Sequence, residues 1–288
     1  MIELDAATFL LQWAAGGMIG CWFTTRRREV GLGYGWMLRI TFLCFAVAAA
    51  ALGWSSDGGA ATRIRDVTSV LVALACAGAL ASSIVRRKAG VRGQLADHDR
   101  RSQRIAEMTG IDRDEVALER EGREFDPRLD LVAPIVGAVG LVAAGVDAGG
   151  NDGLAIARII VGAVFLGFVT DAMLLGHWYL VQPGLPRRHV NDIVRAFLWV
   201  WPAEVVVMLM PTGMFSVFSG AVDDGWGGQL GWFWAACAVT TGVLGVVTQR
   251  ALRERSYSAV MAATGLLYLA ILTAFGTDLV ARAVLSGA

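Results

Sequence analysis

The spacing of long apolar runs constrains this chain more than any other feature. A helix needs about 20 consecutive, mostly apolar residues to cross the hydrocarbon layer of a membrane. The 288-residue sequence contains about eight such runs. They cover residues 6–25, 32–54, 67–85, 131–148, 154–181, 193–217, 230–249 and 257–280. The pattern predicts an all-α fold, a polytopic integral membrane bundle of about eight transmembrane helices.

The composition supports this fold class. Hydrophobic residues make up 56% of the chain and charged residues 17%, whereas soluble domains have about 45–50% and about 25%. These values argue against a disordered chain, an ordinary soluble enzyme and a nucleic-acid-binding protein. The 25 basic and 25 acidic residues cancel, so the net charge indicates no partner. The expected partner is the lipid bilayer.

The basic residues predict an orientation, because loops on the cytoplasmic side carry an excess of Lys and Arg near the span ends. Every second loop is basic: Arg26, Arg27 and Arg28; Arg86, Arg87 and Lys88; Arg187 and Arg188; Arg250, Arg253 and Arg255. The other loops are mainly acidic. We therefore expect a multi-pass protein of the cell (inner) membrane with both termini on the outer side. The acidic N-terminal flank favours a retained first span over a cleaved signal, and the excess of Arg over Lys favours a bacterial source.

The spans divide the chain into three parts. Residues 1–85 hold transmembrane helices 1–3, residues 86–130 form a cytoplasmic charged segment, and residues 131–288 hold helices 4–8. Dense mixed charge in the middle part, with Asp112 as a helix N-cap, predicts two short helices near the membrane surface. They either join two spans as a solvated hairpin or dock partner membrane or cytoplasmic subunits.

Three ionisable residues stand out inside the predicted spans: Arg39, Asp171 and Glu204. Such residues are costly in a membrane and usually face a cavity or pair with one another. Counted from the predicted turn near Pro183, Asp171 and Glu204 have similar depths, about 18 Å from it. The sequence therefore predicts a buried polar cluster of these three residues between helices 2, 5 and 6, in the cytoplasmic half. If the cluster is purely structural, we expect Arg39 to pair with Asp171 or Glu204.

Aromatic and histidine side chains surround this predicted cluster. His177 follows Asp171 on the same helix and joins the candidate proton relay of Arg39, Asp171, His177 and Glu204. Pro202 removes a backbone donor next to Glu204, and such kinks open small polar cavities. The candidate pocket lining is Tyr179, Trp199, Trp201 and Met208.

These residues leave several functions open. A carboxyl group that takes up and releases a proton would serve a proton-coupled transporter or permease-like protein, which is the leading hypothesis. The alternative is a quinone-interacting or membrane-anchor subunit of a respiratory or redox complex, with His177 and a carboxyl group at the quinone head. A purely structural membrane subunit is the third, since a buried ion pair can also fix helix register.

No cofactor or metal site is predicted, and quinone is the one cofactor kept open. The four cysteines lie in separate apolar runs without a CxxC spacing, which argues against a zinc site. His177 is the single histidine within a span, which argues against haem held by two histidines. Lys88, the single lysine, lies in a loop, which excludes a retinal Schiff base. No catalytic motif is found, so enzymatic activity is left undecided.

Small residues recur at helical spacing. Gly16 and Gly20 form a GxxxG pair on the first span. Such pairs let helix backbones approach closely, where dispersion forces and weak hydrogen bonds hold them. We expect this pair to pack within one chain rather than between two copies.

Overall fold

A computed structural model describes residues 5–55, 58–91, 123–148, 151–182, 184–211, 213–254 and 256–286. These residues form an all-helical bundle without strands. We number its long helices α1 to α8. They are α1 Ala6–Thr25, α2 Leu32–Trp54, α3 Ala60–Val85, α4 Val132–Asp147, α5 Asp152–Val181, α6 Arg188–Leu209, α7 Gln229–Ala251 and α8 Tyr257–Leu285. Single helical turns at Arg87–Ala89 and Pro127–Leu131 and a short helix at Met214–Phe218 complete the described structure.

Seven helices of the described chain are long and apolar enough to cross a membrane. They are α1, α2, α3, α4 with its preceding turn, α5, α7 and α8. Helix α6 has the length but also carries Arg188, Asp192, Arg195 and Glu204. These charges make α6 too polar to count as a span by length and composition. By these two criteria the described chain has seven candidate spans, whereas the sequence predicted about eight.

Two helix boundaries differ by seven residues or more from those predicted, each for a local reason. Helix α3 begins at Ala60 rather than residue 67, because Arg65 and Asp66 pair with each other and are buried, so their charges do not end the helix. Helix α6 ends at Leu209 rather than residue 217. Met210 is extended, with ψ 159°, because the following Pro211 disfavours a helical conformation in the residue before it.

Helices α1 and α5 lie at the centre of the bundle. Helix α1 packs against α2, α4 and α5, and α5 packs in addition against α6 and α8. Helices α2, α3 and α4 pack together on one side of this central pair, and α7 packs against α6 and α8 on the other. The polar residues of α1 and α5 are therefore the ones best placed to meet charges from several helices.

The two ends of the bundle have different polar contacts. At the end that we call the arginine end, ion pairs join the loops: Arg27 with Asp192, Arg28 with Glu124, and Arg188 with Glu29. At the opposite end, which we call the terminal end, Asp5 caps α1 by accepting the amides of Ala7 and Thr8 and also binds Arg65.

The charged segment predicted for residues 86–130 is described in its flanks alone. Residues 92–122, with the two predicted short helices, Asp112 and His98, lie outside the described residues. In the second flank, Pro127–Leu131 forms a helical turn that leads directly into α4. This turn carries Asp130 into the bundle, where the side chain is fully buried.

Candidate functional site

Arg39 forms a buried ion pair with Asp130. Its Nε and one Nη donate to the two carboxylate oxygens of Asp130 at 2.7 Å each. The guanidinium also lies over the ring of Phe125, 4.3 Å from its centroid. The pairing of Arg39 with Asp171 or Glu204, expected for a purely structural cluster, therefore does not form. The sequence suggested no partner at Asp130 because that residue stands at the end of a charged segment, although the apolar run of α4 begins directly after it.

Asp171 lies beside this ion pair, in the same half of the bundle. Its side chain is fully buried, and neither carboxyl oxygen has a hydrogen-bond partner among the described residues. Gly20 of α1 faces it so closely that a Cβ atom there would lie 2.4 Å from Oδ2. Cys21 donates to Asp130 at 3.8 Å, and the Tyr34 hydroxyl donates to the Asp171 backbone carbonyl at 3.3 Å.

We call this group the arginine-end cluster; it consists of Cys21, Tyr34, Arg39, Asp130 and Asp171. A small pocket, with a volume of about 30 Å³, lies next to it at the arginine end of the bundle. Arg28, Gly35, Arg39 and Phe125 are among the residues of its wall. The buried ion pair therefore stands between this pocket and the unpartnered carboxyl group of Asp171.

Glu204 belongs to a different group of charges. It is fully buried on α6, and both of its carboxyl oxygens lack a hydrogen-bond partner within the described part of the chain. The charges that act on it come from Asp278 and Arg282 on α8 and Arg158 on α5. We call Gln12, Arg158, Glu204, Asp278 and Arg282 the terminal-end cluster.

Hydrogen bonds order one side of the terminal-end cluster. Arg282 Nε donates to Asp278 Oδ2 at 2.7 Å, one helical turn away, and an Nη of Arg282 donates to Gln12 Oε1. Gln12 Nε2 in turn donates to Asp278 Oδ1 at 3.2 Å. A second small pocket, with a volume of about 10 Å³, has Thr8, Thr62, Arg65, Asp147 and Arg282 in its wall. This cluster therefore borders a pocket at its own end of the bundle.

The single cluster predicted between helices 2, 5 and 6 is thus two clusters. Helix α6 begins at Arg188, so at about 1.5 Å per residue Glu204 lies about 24 Å along its axis, whereas Asp171 lies about 15 Å from the end of α5. The prediction of equal depth is wrong because the sequence placed the start of α6 too late. Both carboxyl groups face the interior, but Glu204 lies nearer the terminal end.

A close helix contact separates the two clusters. At the crossing of α1 and α5, a Cβ atom on Gly16 would lie 1.7 Å from the carbonyl oxygen of Ala163, and one on Gly167 would lie 2.2 Å from Gly16. Trp13 Nε1 donates to Thr170 Oγ1 at 2.9 Å next to this crossing. The Gly16 and Gly20 pair therefore packs within the chain, as the sequence predicted.

The predicted ring-lined pocket does not form among the described residues. His177 lies exposed on α5, where its ring meets Tyr268 edge to face at 6.5 Å, and Trp199 is 78% exposed. Tyr179 donates to the Pro186 carbonyl at 2.7 Å and Trp201 to the Ala238 carbonyl at 2.8 Å. Met208 is buried in the core. Trp199 and Glu204 are five residues apart on one helix, which turns their side chains to different faces.

Outside the spans, Glu29 ties the first loop to α6. It binds Arg188 and accepts a hydrogen bond from His189 Nε2 at 2.6 Å. Partial burial opposes ionisation of Glu29, but the hydrogen bonds from Arg188 and His189 outweigh it and hold the pKa of the carboxyl group below its ordinary value. This contact fixes the arginine end of α6 beside that of α1.

Besides Asp130, three charged residues of the terminal-end cluster were not singled out from the sequence: Arg158, Asp278 and Arg282. Arg158 lies near the start of its span, where a charge is usual, but the i,i+4 spacing of Asp278 and Arg282 within an apolar run is a signal of a buried pair. Across the described ranges, no group of three or more His, Cys, Asp and Glu side chains is placed to hold a metal ion. Comparison of the chain with protein-family models, curated proteins and solved structures finds no match.

Proposed function

We propose that this chain is a proton-coupled transporter in which Asp171 and Glu204 take up and release protons. The observation that carries the proposal is the state of these two carboxyl groups: both are fully buried, and neither oxygen of either one has a hydrogen-bond partner among the described residues. Burying a carboxylate ion without a partner costs far more than burying the neutral acid. Such a group can therefore bind a proton in the interior and release it when it gains a partner or water.

The position of the two clusters supports this function. The arginine-end cluster borders one pocket and the terminal-end cluster another, and the α1–α5 crossing lies between them. A transporter needs access to its proton site from each side in turn and a barrier that blocks continuous flow. One carboxyl group near each end, with backbone-to-backbone helix packing in the middle, supports such an arrangement.

The proposal includes the membrane arrangement. Helix α6 packs between α5 and α7 and directs Glu204 into the bundle, which supports an eighth crossing despite its charges. Eight crossings place both termini on one side. The arginine-rich loops then lie in the cytoplasm and the termini outside, in the cell (inner) membrane of a bacterium.

A quinone-interacting or anchor subunit ranks below this function. It requires the candidate ring side chains to line one pocket, and His177, Tyr179, Trp199 and Trp201 do not come together in the described structure. A structural role accounts well for the ion pair of Arg39 and Asp130. It does not explain why the carboxyl groups of Asp171 and Glu204 are buried without partners among the described residues. Docking of a partner subunit through residues 86–130 is compatible with either function.

Proton movement in liposomes tests the proposal. The purified protein is reconstituted with a pH-sensitive dye inside, the membrane potential is clamped, and gradients of small carboxylates, amino acids, sugars or divalent cations are imposed in turn. We expect one solute class to drive proton entry above that of empty liposomes. Asp171→Asn and Glu204→Gln should each lower this rate by roughly 100-fold, since each removes a proton-transfer group while keeping nearly the same shape.

The matched control is Asp152→Asn, an exposed carboxyl group on the same helix as Asp171. It should transport at the wild-type rate. Proton entry that no solute class raises above empty liposomes would overturn the proposal, as would wild-type rates in both buried-site variants.

A further inference from the structure

Arg158 has unused hydrogen-bonding capacity in the core of the bundle. Its side chain is fully buried on α5, and Nε donates to the backbone carbonyl of Val207 at 3.0 Å. Both Nη atoms lack a hydrogen-bond partner within the described part of the chain. A guanidinium carries five donors and is never neutral in proteins, so a buried one without an acceptor on its outer edge indicates an acceptor still to be supplied.

The charges around Arg158 do not supply that acceptor. Asp278 is engaged by Arg282 and Gln12 through both of its oxygens. Glu204 interacts with Arg158 electrostatically, but no hydrogen bond joins the two side chains. With Asp278 neutralising Arg282, the positive charge of Arg158 is balanced when Glu204 is ionised and unbalanced when Glu204 is protonated.

We infer that Arg158 binds the carboxylate group of a small monocarboxylate, which is carried together with a proton on Glu204. This inference rests on the proposed function and assigns its substrate class. The two Nη atoms of a guanidinium form a planar fork that matches the two oxygens of a carboxylate in a bidentate pair. Val207 holds the side chain through Nε, which leaves that fork free and oriented.

Competition between two carboxyl groups couples the proton to the substrate. An ionised Glu204 competes with the substrate for Arg158, and protonation of Glu204 removes the competitor. The charged groups that face Glu204 are Asp278, Arg282 and Arg158, and Asp278 and Arg282 neutralise each other. Proton and anion therefore favour each other's binding by the same factor, and their combined charge is zero, which lowers the cost of crossing the bundle.

The loop after α6 covers the site. Gly213 lies against Arg158, and a Cβ atom there would be 2.9 Å from Nη2 and 2.2 Å from the backbone carbonyl oxygen of Met208. Arg282, a member of the same terminal-end cluster, also forms part of the wall of the second pocket. The substrate would therefore reach Arg158 from the terminal end.

The test uses L-lactate as the carboxylate and lactamide, its neutral amide, as the matched control ligand. Thermal unfolding of the purified protein and uptake of radiolabelled lactate into proteoliposomes are both measured from pH 5 to pH 8. Lactate should raise the melting temperature and lactamide should not. Lactate binding should tighten as the pH falls, because protonation of Glu204 frees Arg158, and Glu204→Gln should bind lactate independently of pH.

Arg158→Gln should weaken lactate binding by about tenfold or more, the loss expected for a charge-assisted bidentate contact. Arg158→Lys keeps the charge without the fork and should retain a weaker, still carboxylate-selective effect, which guards against failure of the first variant to fold. Equal effects of lactate and lactamide, or unchanged lactate binding in both folded variants, would overturn the inference. If another solute class drives proton entry through Asp171 and Glu204, the substrate assignment fails while the proposed function stands.

Discussion

At the scale of the residue, the core contains two kinds of buried charged group: those with a hydrogen-bonded countercharge and those without one. Arg39 and Asp130 satisfy each other through two short hydrogen bonds. Asp171, Glu204 and the outer edge of Arg158 have no such partner among the described residues. A paired charge can be buried for stability or register, whereas an unpaired one costs stability, and proteins keep such groups mainly where function requires them.

The ion pair of Arg39 and Asp130 should contribute strongly to stability. Asp130→Asn leaves the Arg39 guanidinium buried without its countercharge, and we expect a loss of about 3–5 kcal/mol in the free energy of unfolding. The control is Asp192→Asn, which breaks the partly exposed pair with Arg27 and should cost about 1 kcal/mol or less. Detergent-titration unfolding measures both. Equal losses in the two variants would show that burial does not determine how much an ion pair contributes to the free energy of unfolding.

At the scale of the element, the α1–α5 crossing sets the distance between the two central helices. Gly16 and Gly167 meet there with almost no space for a side chain. Gly20, one turn further along α1, leaves space for the Asp171 carboxyl group. The glycines of α1 therefore position the helices and accommodate the buried acid at once.

Adding one methyl group at this crossing should separate the helices. Gly16→Ala would place a Cβ atom 1.7 Å from the carbonyl oxygen of Ala163, and backbone atoms on both sides leave no side chain to move away. We expect a loss of about 1–3 kcal/mol or more in the free energy of unfolding. Gly78→Ala, on an exposed face of α3 with nothing within 4 Å of the added atom, should leave stability nearly unchanged. A Gly16→Ala variant as stable as Gly78→Ala would contradict the packing described here.

At the scale of the whole molecule, the two ends of the bundle differ in the charge of their loops. Ion pairs of Arg27, Arg28 and Arg188 join the loops at the arginine end, whereas Asp147 and Asp152 lie at the terminal end. This distribution has a physical consequence, because positively charged loops resist translocation across the membrane. It supports the proposed orientation with the arginine end in the cytoplasm.

Reporter fusions test the orientation and the eighth crossing together. Fusions of green fluorescent protein after Arg28, Arg187 and Arg253 should fluoresce, since these positions lie at the arginine end. Fusions of alkaline phosphatase after Asp152 and Asp224 should be active, since the proposed orientation puts these positions outside. The positions Arg187 and Asp224 flank α6, so reporters on the same side at both would show that α6 does not cross the membrane.

The fold class was predictable because apolar length is a local property of the chain. The apolar runs correspond to α1–α5, α7 and α8, with boundaries that differ by a few residues except where a buried pair, as at Arg65 and Asp66, let α3 continue. Helix α6 was placed less well, since its charges dilute the apolar signal and Pro211 ends it early. The packing of Gly16 within the chain was also predictable, because small residues one turn apart imply a close contact wherever a partner helix lies.

The partners of the buried charges were not predictable in the same way. Arg39 was found from its sequence context, but its partner Asp130 comes from a helical turn 91 positions later, which the bundle brings against α2. Glu204 was found too, yet its neighbours Arg158 and Asp278 come from two other helices. The sequence by itself determined which segments are apolar enough for a membrane, where charges interrupt them and which loops are basic. The tertiary structure decided which charges meet and which stay unpartnered, because that depends on the rotation, depth and neighbours of each helix, and none of these is a local property of the chain.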